Sequence, residues 1–218
     1  MEVINLGLKN SIFNYFISEL RCSKTQSDPM RFRKNLERIG EIFAYEISKS
    51  LTYQPEDITT PLDHIEVPLH KDNIVVGSIL RAGIPLHTGL LNYFDRAENA
   101  FISSYRKYLD NGDFKINFEY LSSPSIEDKV LILADPMLAT GYSMEVSYNA
   151  MLKQGTPKHT HIVSVIASRQ GVEYIIEKFN AKNTTLWVGA VDEKLTGKSY
   201  ISPGLGDAGD LAFGEKLG

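Results

Sequence analysis

The chain has 218 residues, with 27 Asp and Glu against 23 Lys and Arg, for a net charge of −4. Acids and bases are mixed along its length, which excludes a general nucleic-acid coat because that needs a basic excess. A chain of this size fits one domain, 1–218, burying roughly 70% of its unfolded surface in a single core. Cys22 is alone, so no intrachain disulfide or cysteine-rich metal site can form, and a small buried hydrophobe is its expected role. The start, "MEVINLGLKN", lacks the basic opening and unbroken apolar stretch of a secretion signal. No apolar run approaches the ~20 residues of a membrane span. The expectation is a soluble, cytoplasmic protein with neither nucleic acid nor membrane as partner.

In chain order, residues 1–52 read as a helical N-terminal segment. Ile12, Phe13, Phe16, Ile17 and Leu20 form one stripe at helical spacing. "SDPMRF" supplies Asp28 as N-cap and Pro29 in the first turn of a second helix, with Leu36, Ile39, Phe43 and Ile47 on its apolar face. From residue 74 short continuous apolar runs alternate with helical stretches: "IVVGSIL", "NAFISSY", "VLILA", "HIVSVIA" and "TTLWVGA". That rhythm indicates an α/β fold, a doubly wound and mainly parallel sheet with helices on both faces. One interruption, "DNGD" followed by the alternating "FKINFEY", reads as a β-hairpin arm over 105–121. Two-stranded arms are marginal in water, so this arm or the N-terminal helices should pack on something, a second subunit included.

In such sheets ligands sit beyond the carboxyl ends of the strands. The unusual residues lie there: Arg81–Gly83, Ser104–Arg106 and Asp135–Ser143. "ADPMLATGYSM" (134–144) puts a carboxylate at the mouth of the sheet, then small residues whose amides can turn inward. Ser143 reads as the N-cap of the next helix, with Glu145 in its first turn. A loop feeding a helix N-terminus cradles an anion with free N–H groups and the positive dipole end. A ligand with a phosphate at one end and hydroxyls near Asp135 suits it, as a sugar phosphate would. The segment lacks the Gly-Lys-Ser/Thr of a nucleotide-triphosphate loop and the spaced glycines of a dinucleotide fingerprint.

An apolar strand followed by acid, "xLATG" and a hydroxyl residue resembles the phosphoribosyl-diphosphate loop of type I phosphoribosyltransferases. "DPMLATG" resembles one branch, the uracil phosphoribosyltransferases. "YISPGLGDAGDLAFG" (200–214) is similar to that family's uracil-binding signature, and "ILRAG" (79–83) and "SYR" (104–106) match two further stretches in the same order. The resemblance spans roughly 30–214. It implies transfer of the 5-phosphoribosyl group from 5-phosphoribosyl 1-diphosphate to uracil, giving uridine monophosphate and diphosphate. It implies that Arg81 and Arg106 hold the diphosphate, whose oxygens a guanidinium fork grips at any working pH. Asp135 would hold the ribose hydroxyls. Pro136, Met137, Leu138, Ala139, Thr140, Gly141, Tyr142 and Ser143 would wrap the 5′-phosphate. Uracil would meet Ile201, Gly206, Asp207 and Ala208, with Asp207 also touching the donor. Asp135, Asp207 and Arg106 are the implied catalytic set. Mg2+ is implied as cofactor, carried on the donor's own oxygens, with no protein residue assigned as its ligand.

A homodimer or larger homo-oligomer is implied too, and control by GTP, found in some members, stays open. The family loop usually reads "TGGS" where this chain has "TGYS", so Tyr142 is expected at a negative φ. The five histidines show no metal-ligand spacing and are expected to be structural. Three other readings remain at this point: an RNA-binding pyrimidine regulator of the same fold, a transferase for another base, and a catalytically silent scaffold.

Overall fold

The computed structural model describes residues 1–108 and 114–216; the side chains of 104–119 are not among the described residues. The chain opens with a short strand, β1 (Glu2–Asn5), followed by a 3-10 turn (Leu6–Leu8) and two helices, α1 (Ile12–Arg21) and α2 (Pro29–Ser48). Two strands come next, β2 (Tyr53–Thr59) and β3 (His64–His70). The alternating part runs β4 (Ile74–Leu80), α3 (Gly83–Leu91), β5 (Glu98–Tyr108), β6 (Phe114–Ser122), β7 (Val130–Ala134), β8 (Met137–Leu138), α4 (Tyr142–Met151), β9 (His159–Ser168), α5 (Arg169–Lys178) and β10 (Thr184–Asp192). Two short strands, β11 (Lys194–Leu195) and β12 (Ile201–Ser202), and helix α6 (Ala208–Phe213) complete it.

The main sheet has eight strands in the order β1-β10-β9-β7-β4-β5-β6, with β8 also paired to β9. Every pairing is parallel except β5 with β6. The doubly wound, mainly parallel sheet expected from the apolar runs is therefore present. From β4 the chain winds one way, to β5; from β7 it winds the other way, through β9 to β10. The order reverses between β4 and β7, which are hydrogen-bonded side by side with Ser78 opposite Ala134. Open α/β sheets bind ligands in the crevice at such a reversal, beyond the strands' carboxyl ends.

Alternation along the strands builds two cores. Ile74, Val76, Val130, Ile132, Val163 and Val165 face α1, α2, α3 and α6. Val75, Leu131, Leu133, Ile162, Leu186 and Val188 face α4 and α5. On α2 the stripe Leu36, Ile39, Phe43 and Ile47 is fully buried, and Asp28 caps the helix through the Met30 and Arg31 amides. On α1, Phe13, Ile17 and Leu20 are buried while Ile12 points outward. Cys22 is exposed at the end of α1, not buried as expected.

The largest elements that escaped the sequence reading lie in its first third. Residues 2–5 are not helical: they add an edge strand parallel to β10, with Val3 opposite Leu186. Four residues are too few for a periodicity to show. The antiparallel ribbon of β2 and β3 places Pro55 opposite Pro68 and is exposed on both faces, so it carries neither an alternating burial pattern nor a proline-free run. The arm at 105–121 does form antiparallel strands, with Arg106 opposite Ile116; its turn at "DNGD" lies outside the described residues. No helix among the described residues is long and apolar enough to cross a membrane.

Candidate active site

The loop after β7 is built by its neighbours. The Asp135 amide donates to Val163 O (3.0 Å), and Asp135 Oδ1 accepts from the Met137 amide at 3.2 Å, a local turn that holds the half-buried carboxylate at the strand end. Pro136 O accepts from Val165 and Ile166 of β9, and Met137–Leu138 continue that pairing as β8. Ala139 O accepts from Ser168 Oγ (2.5 Å), whose oxygen also caps α5 by accepting from the Gly171 amide. Gly171 is required there, since an added Cβ would lie 2.5 Å from Ala139 O.

The helix begins two residues earlier than expected. Gly141, not Ser143, is the N-cap of α4, with φ at +83° and no side chain to satisfy the first amides. Tyr142 is then the first helical residue, at negative φ as expected, with its ring 41% exposed. Ser143 falls in the first turn, beside Glu145. Helix starts leave several N–H groups without helical partners; here the Tyr142 amide donates to Thr140 Oγ1 at 3.5 Å, and the glycine cap offers no side chain to the others. Tyr174 of α5 supports this corner. Its ring lies where a Cβ on Gly141 would be, 2.7 Å from Cδ1, and its hydroxyl donates to Glu145 Oε2. Burial and the Glu145 carboxylate push that hydroxyl up to about 12, so it stays a donor at neutral pH. Asp135, Met137, Leu138, Ala139, Thr140, Gly141 and Ser143, all named from sequence, line one cleft together with Met144. Pro136, which is buried, and Tyr142, which is exposed, are not among the residues that line it.

Arg81 follows β4 directly across the sheet's reversal. Its Nη2 donates to Gly214 O (2.9 Å) and Asp210 Oδ1 (3.1 Å), while its buried Nε has no hydrogen-bond partner among the described residues. Gly83 follows two residues on. In the structure its missing Cβ makes room for Ser78 Oγ (2.5 Å) and Ala134 O (3.2 Å), so it fits the 81–83 turn against the end of β7. Arg106 lies in β5, and its side chain falls outside the described residues.

The glycine-rich segment lies against Arg81. Asp207 caps α6, accepting from the Asp210 amide at 3.0 Å, and a Cβ on Gly209 would stand 3.2 Å from Asp207 Oδ1 and 3.8 Å from Arg81 Nη2. Arg81 and Asp207 therefore share one neighbourhood. Ile201 and Ala208 have their side chains in the core, and Gly206 takes φ +93°. Three residues tie this segment down that no sequence signal marked. Asp192, at the end of β10, accepts from the Gly204 amide (2.8 Å); Arg21 of α1 donates to Asp192 and to Gly204 O; Arg33 of α2 donates to Ala212 O (2.6 Å). Burial raises the Asp192 carboxyl, but the Arg21 guanidinium and the Gly204 amide outweigh it and hold the group below its usual range.

The histidines lie elsewhere. The rings of His159 and His161 lie 4.6 Å apart, tilted by 49°, near the amino end of β9, where Trp187 Nε1 donates to His161 Nδ1 (3.1 Å), and His87 is buried beside Phe101. Burial, and then His159, pull His161 down to about 3, so it is neutral. Among the described residues no three His, Cys, Asp or Glu converge as a metal cage.

A doubly wound sheet with an acid-led anion loop at its reversal, an arginine across that reversal and a glycine-rich segment beside it defines a phosphoribosyltransferase. The sequence model of the uracil phosphoribosyltransferase family matches residues 8–215, and the chain belongs to that family. It is 56% identical over 217 residues to the uracil phosphoribosyltransferase of Porphyromonas gingivalis, with all of both chains covered. It is 39% identical to that of Pyrococcus furiosus, over 92% of this chain and 85% of the relative. The solved AQ2163 protein of Aquifex aeolicus superimposes with a TM-score of 0.87 at 30% identity, over 97% of this chain and 98% of that one.

Proposed function

We propose that the protein transfers the 5-phosphoribosyl group of 5-phosphoribosyl 1-diphosphate to uracil, forming uridine monophosphate and releasing diphosphate, a step of pyrimidine salvage. Besides family membership, one observation carries this reading: Arg81, past the end of β4, reaches Asp210 and Gly214 of the glycine-rich segment, while Asp135 opens the anion loop on the adjacent strand. Donor and base would meet where those pieces converge.

The chemistry is a problem of charge and placement. As the bond to the anomeric carbon breaks, negative charge gathers on the leaving diphosphate, and fixed cations and positioning lower that barrier. Arg81, with Arg106, would hold the leaving group. Asp135 would orient the ribose hydroxyls, and the α4 amides with Thr140 and Ser143 would hold the 5′-phosphate. One strand-end carboxylate beside an anion loop fits magnesium arriving on the donor, since that ion prefers phosphate oxygens, waters and few carboxylates. Bound there, it would offset part of the diphosphate charge. Backbone groups of Ile201, Gly206 and Ala208 would pair with the edge of uracil. Cytosine would present an amino group to a main-chain donor, and a buried mismatch of that kind discriminates strongly.

Asp207 would touch the donor and assist loss of the N1 proton. It is also a helix cap, and Asn caps about as well as Asp, so Asp207→Asn removes the charge and keeps the turn. Diphosphate release is the assay, with uracil, cytosine and guanine in parallel. Release with uracil alone is expected, and Asp207→Asn should lower kcat about 100-fold with little change in KM. Equal turnover would remove the base role, and release with guanine or cytosine would overturn the substrate assignment. The same reading makes the protein a cytoplasmic homo-oligomer. The exposed apolar side chains of Ile58, Ile65 and Leu69 on the two-stranded β2–β3 ribbon support a subunit contact, because such a ribbon is marginal alone.

A further inference from the structure

We propose that Arg21 and Asp192 form a positioning pair that sets the affinity for the base without setting the affinity for the donor. The inference rests on the reading that residues 201–208 hold uracil.

The geometry is a closed ring around Gly204. Asp192 Oδ2 accepts from the Gly204 amide and from Arg21 Nη1, both at 2.8 Å. The same Nη1 donates to Gly204 O at 3.0 Å, and Arg21 Nη2 donates to Asp192 Oδ1 at 2.8 Å. Both polar groups of one buried peptide position are thus taken by one ion pair. Gly204 has φ +55°, and a Cβ there would fall 2.1 Å from Ile201 O, so this point is the tight bend of the segment. Its hinge is held from outside the segment. Asp192 is 8% exposed and anchored in β10; Arg21 is 23% exposed and ends α1.

The arrangement has a counterpart one strand away. In the sheet register Asp192 lies opposite Ser168. Ser168, ending β9, fixes the anion loop through Ala139 O, and Asp192, ending β10, fixes the glycine-rich segment through the Gly204 amide. Two neighbouring strand ends therefore each send one short polar side chain to one loop, and the rigid sheet sets the spacing between the two loops. Arg21 has no part in the first attachment. Its loss should free the bend at Gly204 and leave the anion loop in place, while Arg33 and Arg81 still hold α6 and the Asp207 that caps it. A lysine retains the charge but lacks the planar fork needed to reach Asp192 twice and Gly204 O once.

The experiment compares Arg21→Met, Arg21→Lys, Arg31→Met and Gly206→Ala with the unaltered full chain, measuring KM for uracil and for the donor separately. Arg31 makes a bidentate pair of the same kind with Glu19 in the same helical layer (2.8 and 2.7 Å) but does not touch the segment. Arg21→Met should raise the uracil KM about tenfold, as expected for losing hydrogen bonds to a charged group, with the donor KM within about twofold. Arg21→Lys should fall between, and Arg31→Met should leave the uracil KM unchanged while lowering thermal stability. A parallel rise in both KM values for Arg21→Met, or an equal effect of Arg31→Met, overturns the pair's role. If Gly206→Ala raises the uracil KM and neither Arg21 variant does, the segment holds the base but the pair does not position it. If Gly206→Ala also has no effect, the base reading itself fails.

Discussion

Replacing Gly141 with alanine tests the anion loop at its sharpest point. Two costs can be worked out. Gly141 sits at φ +83°, where an L residue loses about 1–2 kcal/mol. The new methyl would also stand 2.7 Å from Tyr174 Cδ1 and 3.3 Å from Gly171 O. Tyr174 cannot swing away freely, because its hydroxyl is bonded to Glu145 on the helix that the loop feeds. Overpacking of this kind costs about 1–3 kcal/mol, so a loop that keeps its shape should lose about 2–5 kcal/mol of stability. A loop that relieves the strain must move its amides, and then the donor KM should rise about tenfold for each 1.4 kcal/mol of lost contact. Denaturant unfolding and initial-rate kinetics on the same preparation read both. Gly197→Ala, with nothing within 4 Å of its added Cβ, is the control. A double-mutant cycle with Tyr174→Ala separates the clash from the backbone cost. Stability within about 0.5 kcal/mol of the unaltered chain, with an unchanged donor KM, would refute both the geometry and the loop's assignment.

Two further outcomes follow from the site and the core. Tyr142→Gly, which restores the usual family residue, should leave the donor KM within about twofold in initial-rate kinetics, because Tyr142 already has a helical backbone and an exposed ring. A large gain in affinity would mean that the ring obstructs the loop. His161 is held neutral by burial, with a folded value of about 3 against an ordinary 6.5. The unfolded chain therefore takes up a proton below pH 6.5 that the folded chain refuses, so stability is full above that pH and falls as pH drops toward 3. Between pH 7 and pH 5 the loss from this group is about 2 kcal/mol. Urea unfolding at the two pH values, with His161→Gln as comparison, should show a smaller loss in the variant; equal losses would contradict the assignment.

Much of the site was legible because its signals are local. A strand that ends in "ADPMLATGYSM" declares both the acid at its tip and the small residues behind it, and the apolar runs declare a sheet covered on both faces. The cap of α4 was misplaced by two residues for a local reason as well. Ser143 has the chemistry of a cap, but Gly141 takes the left-handed turn, and only one position can begin the helix. What the missing Cβ of Gly83 meets, Ser78 Oγ and Ala134 O, could not be read locally, since a glycine in a sequence does not say which neighbour approaches it.

The sequence alone determined the layered α/β class and the strand-end motifs with their acid, hydroxyl and glycine residues, since helix period, apolar runs and cap chemistry act over a few neighbouring residues. The tertiary structure alone decided the strand order, and with it the reversal that sets Arg81 and Asp135 just past the ends of adjacent strands. It also decided the addition of residues 2–5 to the sheet and the ring of Arg21, Asp192 and Gly204. Arg21 and Asp192 stand 171 positions apart in the chain, and no local pattern records such a pairing. It exists because α1 and the end of β10 are brought together by burial of the core between them.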